Sequence, residues 1–240
     1  LAAVAQSVTG VILGIFLFCH MAFTSSVQIS KDLFANLINT SGGMFMFAEE
    51  QAWLHVVFVG FITLCVVIHA FCALRRFPTS YHQLRDIKAH YKMLRHEDTT
   101  LWMVQLVTAF LLFIFVFPHL ISMLCNPHGF DVNLIGVHTH HMGMIYTFVF
   151  LVITELHGMI GLYRLAVKWD IFAKNPETDI IDQRNGDRAG LRKTFLFIAL
   201  LMIVCGTLTA WKNYSIGAEL IENGQEATRY VLADENNWWK

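Results

Sequence analysis

The chain has 240 residues, 55% of them hydrophobic and 13% aromatic, which is too apolar for a soluble domain of this size and makes a membrane its natural solvent. The net charge of -1 hides an uneven distribution, with long uncharged stretches and most Lys and Arg gathered between them, so the overall balance points to no particular partner. Cys19, Cys65, Cys72 and Cys205 lie in apolar runs and Cys125 at the end of one, so they are expected as packing residues rather than disulfides. The chain opens close to an apolar run without a basic start or a cleavage signal, so no signal peptide is expected.

In chain order, five stretches reach the roughly 20 mostly apolar residues that a helix needs to cross a hydrocarbon core. They are 8–27, 53–74, 101–125, 143–167 and 194–211, and they predict an all-α membrane protein. The first four contain one deep histidine each: His20, His69, His119 and His157. Glu155 is the one clear charge inside a run. The second connection carries Arg75, Arg76, Arg85, Lys88, Lys92 and Arg95, and Arg164, Lys168, Lys174, Arg184, Arg188, Arg192 and Lys193 surround the fourth. The opposite side holds Lys31, Lys212, Arg229 and Lys240. This asymmetry places the N-terminus in the cytoplasm and the segment after Lys212 outside.

The first and third runs repeat one another. Gln6, Thr9, Leu13, Phe16 and His20 recur at identical spacing as Gln105, Thr108, Leu112, Phe115 and His119. The second and fourth match more weakly, through His69, Ala73, Leu74 and Arg76 against His157, Gly161, Leu162 and Arg164. Two helical hairpins thus read as versions of one unit, with the fifth helix packed outside.

A polar side chain at membrane depth usually faces the bundle interior and marks a function. One such histidine is equally well an interhelical hydrogen bond, but four at repeated positions are best read as ligands. His69 lies six residues before Arg75 and His157 seven before Arg164, on the order of 10 Å from the cytoplasmic end at 1.5 Å per residue. His20 and His119 lie about 20 to 30 Å from it. Two imidazoles at each level suit a six-coordinate iron in a flat macrocycle. Without a C-x-x-C-H motif that group is haem b, held by coordination. Zinc suits imidazole too, but two His per level without Cys or carboxylate at both levels fit it poorly. Gly10, Gly14, Gly158 and Gly161 would let a large ring approach the backbone, or let helices pack closely. Glu155 stands two residues before His157, about 200° round the helix. It is a candidate proton relay, or a neutral acid hydrogen-bonded to a neighbouring helix.

The string Glu155-Leu156-His157-Gly158, then Gly161-Leu162-Tyr163-Arg164-Leu165-Ala166-Val167-Lys168-Trp169, together with Arg95-His96 and Asp98-Thr99-Thr100-Leu101-Trp102, resembles the dihaem cytochrome b subunit of succinate:quinone oxidoreductases, in particular the five-helix fumarate reductase type. The resemblance covers the first four helices and the first cytoplasmic loop. It implies His69 and His157 on a proximal haem, and His20 and His119 on a distal one. It implies Gln6, Ser7, His96, Trp102 and Lys168 at the haem propionates, although Lys168 and His96 read equally as solvated cytoplasmic charges. It further implies Glu155 as a transmembrane proton relay. An iron–sulfur subunit and a flavoprotein subunit are implied at the cytoplasmic face, with (mena)quinol as electron donor, a dimer of heterotrimers as the assembled form and a bacterial inner membrane as its place.

Where the family has an acid near its outer quinol site, a gap-free alignment puts Gly42, which leaves Glu49 and Glu50 as candidate proton acceptors or as a solvated pair at a helix start. His138, His140 and His141 are loop residues that could join that site. The expected function is quinol-oxidising membrane anchor of a fumarate reductase or succinate dehydrogenase complex, whose dicarboxylate chemistry belongs to another chain and whose direction this chain does not fix. The alternatives are the haem b subunit of a hydrogenase or formate dehydrogenase, and a haem-free transporter.

Overall fold

The computed structural model describes residues 1–43, 47, 51–75, 77–94, 97–171 and 181–232 and, within the helices, the side chains of all but 90, 94 and 181–187. Among the described residues every regular element is helical. The long helices are α1 (Ala2–Ser25), α3 (Ala52–Leu74), α5 (Glu97–Cys125), α7 (Met144–Lys168) and α8 (Ile181–Glu222); the short ones are α2 (Lys31–Ser41), α4 (Tyr81–Leu94) and α6 (Val132–Met142). Five of these are long and apolar enough to cross a membrane. Lipid permits few other solutions, because a helix satisfies its own backbone where water cannot.

The ends of the spans differ from the hydropathy reading in a regular way. Helix α1 begins at Ala2 rather than 8, which brings Gln6 and Ser7 into the helix. Helix α5 begins at Glu97 because Glu97 and Asp98 suit the positive end of the helix dipole, although their charge ends the apolar window. Helix α8 runs on to Glu222, well past Trp211, since Lys212 and Asn213 interrupt the apolar run but not the helix. The segment read as an exterior tail from 213 is therefore helical for its first ten residues.

Three short helices lie outside that reading. Helix α2 is capped by Ser30, whose side chain accepts from Leu33 N, and α6 by Asp131, which accepts from Asn133 N and Leu134 N. Each cap satisfies backbone donors that the first turn leaves open. The segment holding His138, His140 and His141 is thus a helix, not a loop. Helix α6 packs tightly on α8: a Cβ on Gly217 would lie 2.2 Å from the Gly136 carbonyl oxygen, so both glycines are needed for that approach.

Pairing follows the repeat. Helix α1 packs on α3 and α5 on α7, while α8 lies against α7 and α6. Gly14 and Leu162, and reciprocally Leu17 and Gly158, interdigitate between α1 and α7; an added Cβ would meet those leucines at 2.8 and 2.9 Å. For Gly14 and Gly158 the geometry is therefore close helix packing. On the outer flank of α7, Met159 meets Ala199 and Met202 of α8.

Beyond α8 the chain folds back over the end of the bundle remote from Arg75 and Lys168. Tyr230 donates its hydroxyl to Asp32 at 2.9 Å and its backbone N–H to Asp131, tying α2 to α6. Burial and the neighbouring Asp32 carboxylate push the Tyr230 hydroxyl up to about 12.

Candidate cofactor cavity

The bundle encloses one large cavity of about 1600 Å³, well above the roughly 300–1,000 Å³ of a site for one drug-sized ligand. All four deep histidines line it, as do Gln6, Ser7, Trp102, Glu155 and Lys168. Gly10, Gly14, Gly158 and Gly161 line it as well. His96, Glu49 and Glu50 lie outside the described residues.

The histidines fall into two pairs. His157 lies near enough to His69 for their charges to interact, and His119 near enough to His20. The first pair is at the basic end. His69 Nδ1 is 3.2 Å from Thr9 Oγ1, and His157 Nδ1 is 3.4 Å from Thr108 Oγ1 and 3.3 Å from the Gln105 carbonyl. Each threonine already donates its one hydroxyl proton to a backbone carbonyl in its own helix, Thr9 to Ala5 at 2.7 Å and Thr108 to Val104 at 2.8 Å. The threonine oxygens can therefore only accept, so both imidazoles carry their proton on Nδ1. Each Nε2 then keeps its lone pair for a ligand. This is the outer-shell arrangement that orients metal-bound histidine. Because Thr9 and Thr108 hold equivalent positions in the repeat, one device serves both halves of the bundle.

The second pair sits among aromatic rings. Phe16 stacks on His20 with centroids 5.3 Å apart, and Phe150 lies 5.5 Å from His119. Among the described residues, no group of three or more His, Cys, Asp or Glu side chains could hold a bare ion. Paired imidazoles would instead suit an iron already held by a macrocycle, which needs few ligands from the protein. The donor set, the size of the cavity and the Nδ1–H tautomers all fit such a group.

Polar side chains gather at the basic end. Lys168 Nζ donates to Ser7 Oγ at 2.9 Å, and Arg164 Nη1 to Gln105 Oε1 at 2.5 Å. Gln6 Oε1 is buried and has no hydrogen-bond partner among the described residues. Lys168 is exposed yet lines the cavity, so it joins solvent to site. Arg164 and Gln105 also line the cavity. Their part at the cavity was hidden in the sequence, where Gln105 marked the repeat and Arg164 the repeat and the basic end of the fourth run, and the equivalence of Gln105 with Gln6 was the available signal.

Glu155 uses another face of α7. The row His157, Gly161, Arg164 meets Gln105 and Thr108 of α5, whereas Leu151, Gly158 and Leu162 meet α1 and α8. Glu155 falls in the second row by its spacing. It is 0% exposed, with neither carboxyl oxygen hydrogen-bonded among the described residues. At the remote end, His138 of α6 lines the cavity and is exposed; partial desolvation, then the charge of His141, lowers its pKa. His140 turns instead to the Tyr214 ring, 4.6 Å away.

Comparison with known proteins agrees with this architecture. Residues 82–209 match the family described as succinate dehydrogenase/fumarate reductase transmembrane subunit. The chain is 35% identical to a fumarate reductase cytochrome b subunit of Helicobacter pylori, over 98% of this chain and 88% of that protein. It is 33% identical to one from Wolinella succinogenes, over 85% of this chain and 77% of that protein. With five helices fit to cross a membrane and this likeness along nearly its whole length, the chain belongs to the succinate dehydrogenase/fumarate reductase transmembrane subunits, as a multi-pass anchor of the fumarate reductase cytochrome b type.

Proposed function

We propose that this chain is the dihaem, quinol-oxidising anchor of a fumarate reductase complex, with its basic end in the cytoplasm against an iron–sulfur subunit that serves a flavoprotein. The observation that carries this reading is the convergence of four intramembrane histidines on one cavity, two of them held by Thr9 and Thr108 with Nε2 free to ligate. Bound haem b supplies one-electron transfer across the bilayer. His69 and His157 hold the group at the basic level and His20 and His119 the one beyond it, while Gln6, Ser7, Trp102, Arg164 and Lys168 provide hydrogen bonds and positive charge for propionates. His96, Glu49 and Glu50 keep the roles that the resemblance and the sequence suggest for them, as propionate and quinol-site residues.

Moving one charge across 100 mV costs about 2.3 kcal/mol, and a proton moving alongside cancels that work. Glu155 carries that proton in this proposal, because its buried carboxyl can bind and release one without breaking an existing hydrogen bond. Menaquinol is the donor. The test is quinol-driven fumarate reduction by the purified complex, compared with complex assembled without this chain. Activity that depends on the chain supports the reading, and equal activity without it sinks it.

A further inference from the structure

Helix α4 takes no part in the cofactor cavity, since none of its residues lines it. Its middle nevertheless packs against both neighbouring spans. Gln83, Asp86 and Ile87 share a cleft of about 460 Å³ with Phe77, just past the end of α3, and with Thr99 and Trp102 in the first turns of α5. A helix that projected away from the bundle could not hold its midpoint against the ends of two spans. Helix α4 therefore lies at the level where α3 and α5 leave the membrane.

The helix is sided. Leu84, Ile87 and Tyr91 form one row, and Arg85, Lys88 and Lys92 form a second, each one residue further on and so about 100° round the axis. The three cleft residues mark the side that meets the bundle. The basic row stands about 180° from that side, with the apolar row on the flank between them. Ile87 and Tyr91 are half-buried, whereas Leu84 is 48% exposed and Arg85, Lys88 and Lys92 are all exposed. At this height, a row that points sideways away from the bundle meets lipid headgroups rather than open water. A helix with an apolar flank and a row of cations is the kind that lies in a membrane interface, its Lys and Arg stems reaching towards the headgroups. Arg85 keeps its charge available, because its pair with Asp86, at 3.9 Å between exposed side chains, is weak.

We propose that α4 is an interfacial helix that binds anionic phospholipid headgroups through Arg85, Lys88 and Lys92, with Leu84 and Tyr91 seated at the acyl boundary. This surface is separate from the cofactor cavity and does not depend on what fills it. The test uses the full chain, purified in detergent and titrated with short-chain phosphatidylglycerol. Native mass spectrometry counts the bound lipid, and phosphatidylcholine serves as the uncharged control. Arg85→Gln, Lys88→Gln and Lys92→Gln combined puts good helix formers on an exposed face. This triple variant should raise the phosphatidylglycerol Kd by at least about tenfold, since each cation near an anionic surface adds to the attraction, and leave the phosphatidylcholine Kd unchanged. The single variants should fall between, and they decide if the triple variant does not express. Added salt should narrow the gap between wild type and triple variant. Lys212→Gln, at the other end of the bundle, should leave both Kd values unmoved. An unchanged phosphatidylglycerol Kd in the basic-row variants overturns the proposal. So does a triple variant that keeps the lipid but no longer co-purifies with a soluble partner subunit, which would make the row a protein interface instead.

Discussion

The two ends of the cavity hold their histidines in different ways. At the basic end, His69 and His157 are fixed by hydrogen bonds to Thr9 and Thr108, and charged and amide side chains crowd round them. At the remote end, His20 and His119 are framed by Phe16 and Phe150, and among the described residues neither ring takes a hydrogen bond. Outer-shell hydrogen bonds raise ligand basicity and lock ring orientation. Burial and a weaker hydrogen-bonding shell shift a redox centre in their own direction. The contrast teaches that one repeated sequence unit can give its histidines two unlike surroundings, because each helix passes through both levels and presents different neighbours at each.

The largest test of this contrast is ligand removal. His157→Ala or His69→Ala should lower quinol-driven fumarate reduction by at least 100-fold, read in the purified complex. Glu155→Gln should abolish the same activity yet leave haem content intact, since the amide fits the space but binds no proton; full activity would sink the relay. Next in size, Thr9→Val and Thr108→Val remove only the Nδ1 partner. Roughly tenfold weaker retention of the basic-end haem is expected from loss of such a contact, with the remote centre's midpoint potential unmoved in a redox titration. Equal shifts at both levels would erase the distinction drawn here. Gly14→Val drives a side chain into Leu162 and should cost about 1–3 kcal/mol of stability, seen as a lower melting temperature of the solubilised chain.

The smallest effect concerns the strap across the remote end. The Tyr230 hydroxyl ionises at about 12 rather than 10.0, so in the fold it stays protonated where an unfolded chain would have lost its proton. That contribution to stability is complete below pH 10 and fades as the pH rises towards 12. Phenolate absorbance should therefore show a tyrosine titrating near pH 12 that is lost in Tyr230→Phe, and that variant should lack the strap's alkaline loosening.

Much of this was legible in the residues because membrane insertion imposes long apolar runs. Their number and the depth of the four histidines could be counted directly. Helix ends were less legible, since Glu97 and Lys212 end an apolar window without ending a helix. Helices α2 and α6 escaped a hydropathy reading because they are short and mixed, although Ser30 and Asp131 announced them as caps. The roles of Thr9 and Thr108 needed coordinates. Sequence periodicity puts them in the repeat, but only the carbonyls of Ala5 and Val104 reveal that their hydroxyl protons are already committed. Gly14 and Gly158 offered two readings that spacing alone could not separate, and Leu162 and Leu17 decide for helix packing.

The most direct test of the central claim is the haem content of the purified chain by pyridine haemochrome, with protein determined in parallel. Two haem b per chain are predicted for the wild type, falling to one in Thr-intact His157→Ala protein while the His20 and His119 centre remains. A wild-type chain with no haem, or a second haem that persists without both His69 and His157, would contradict the account.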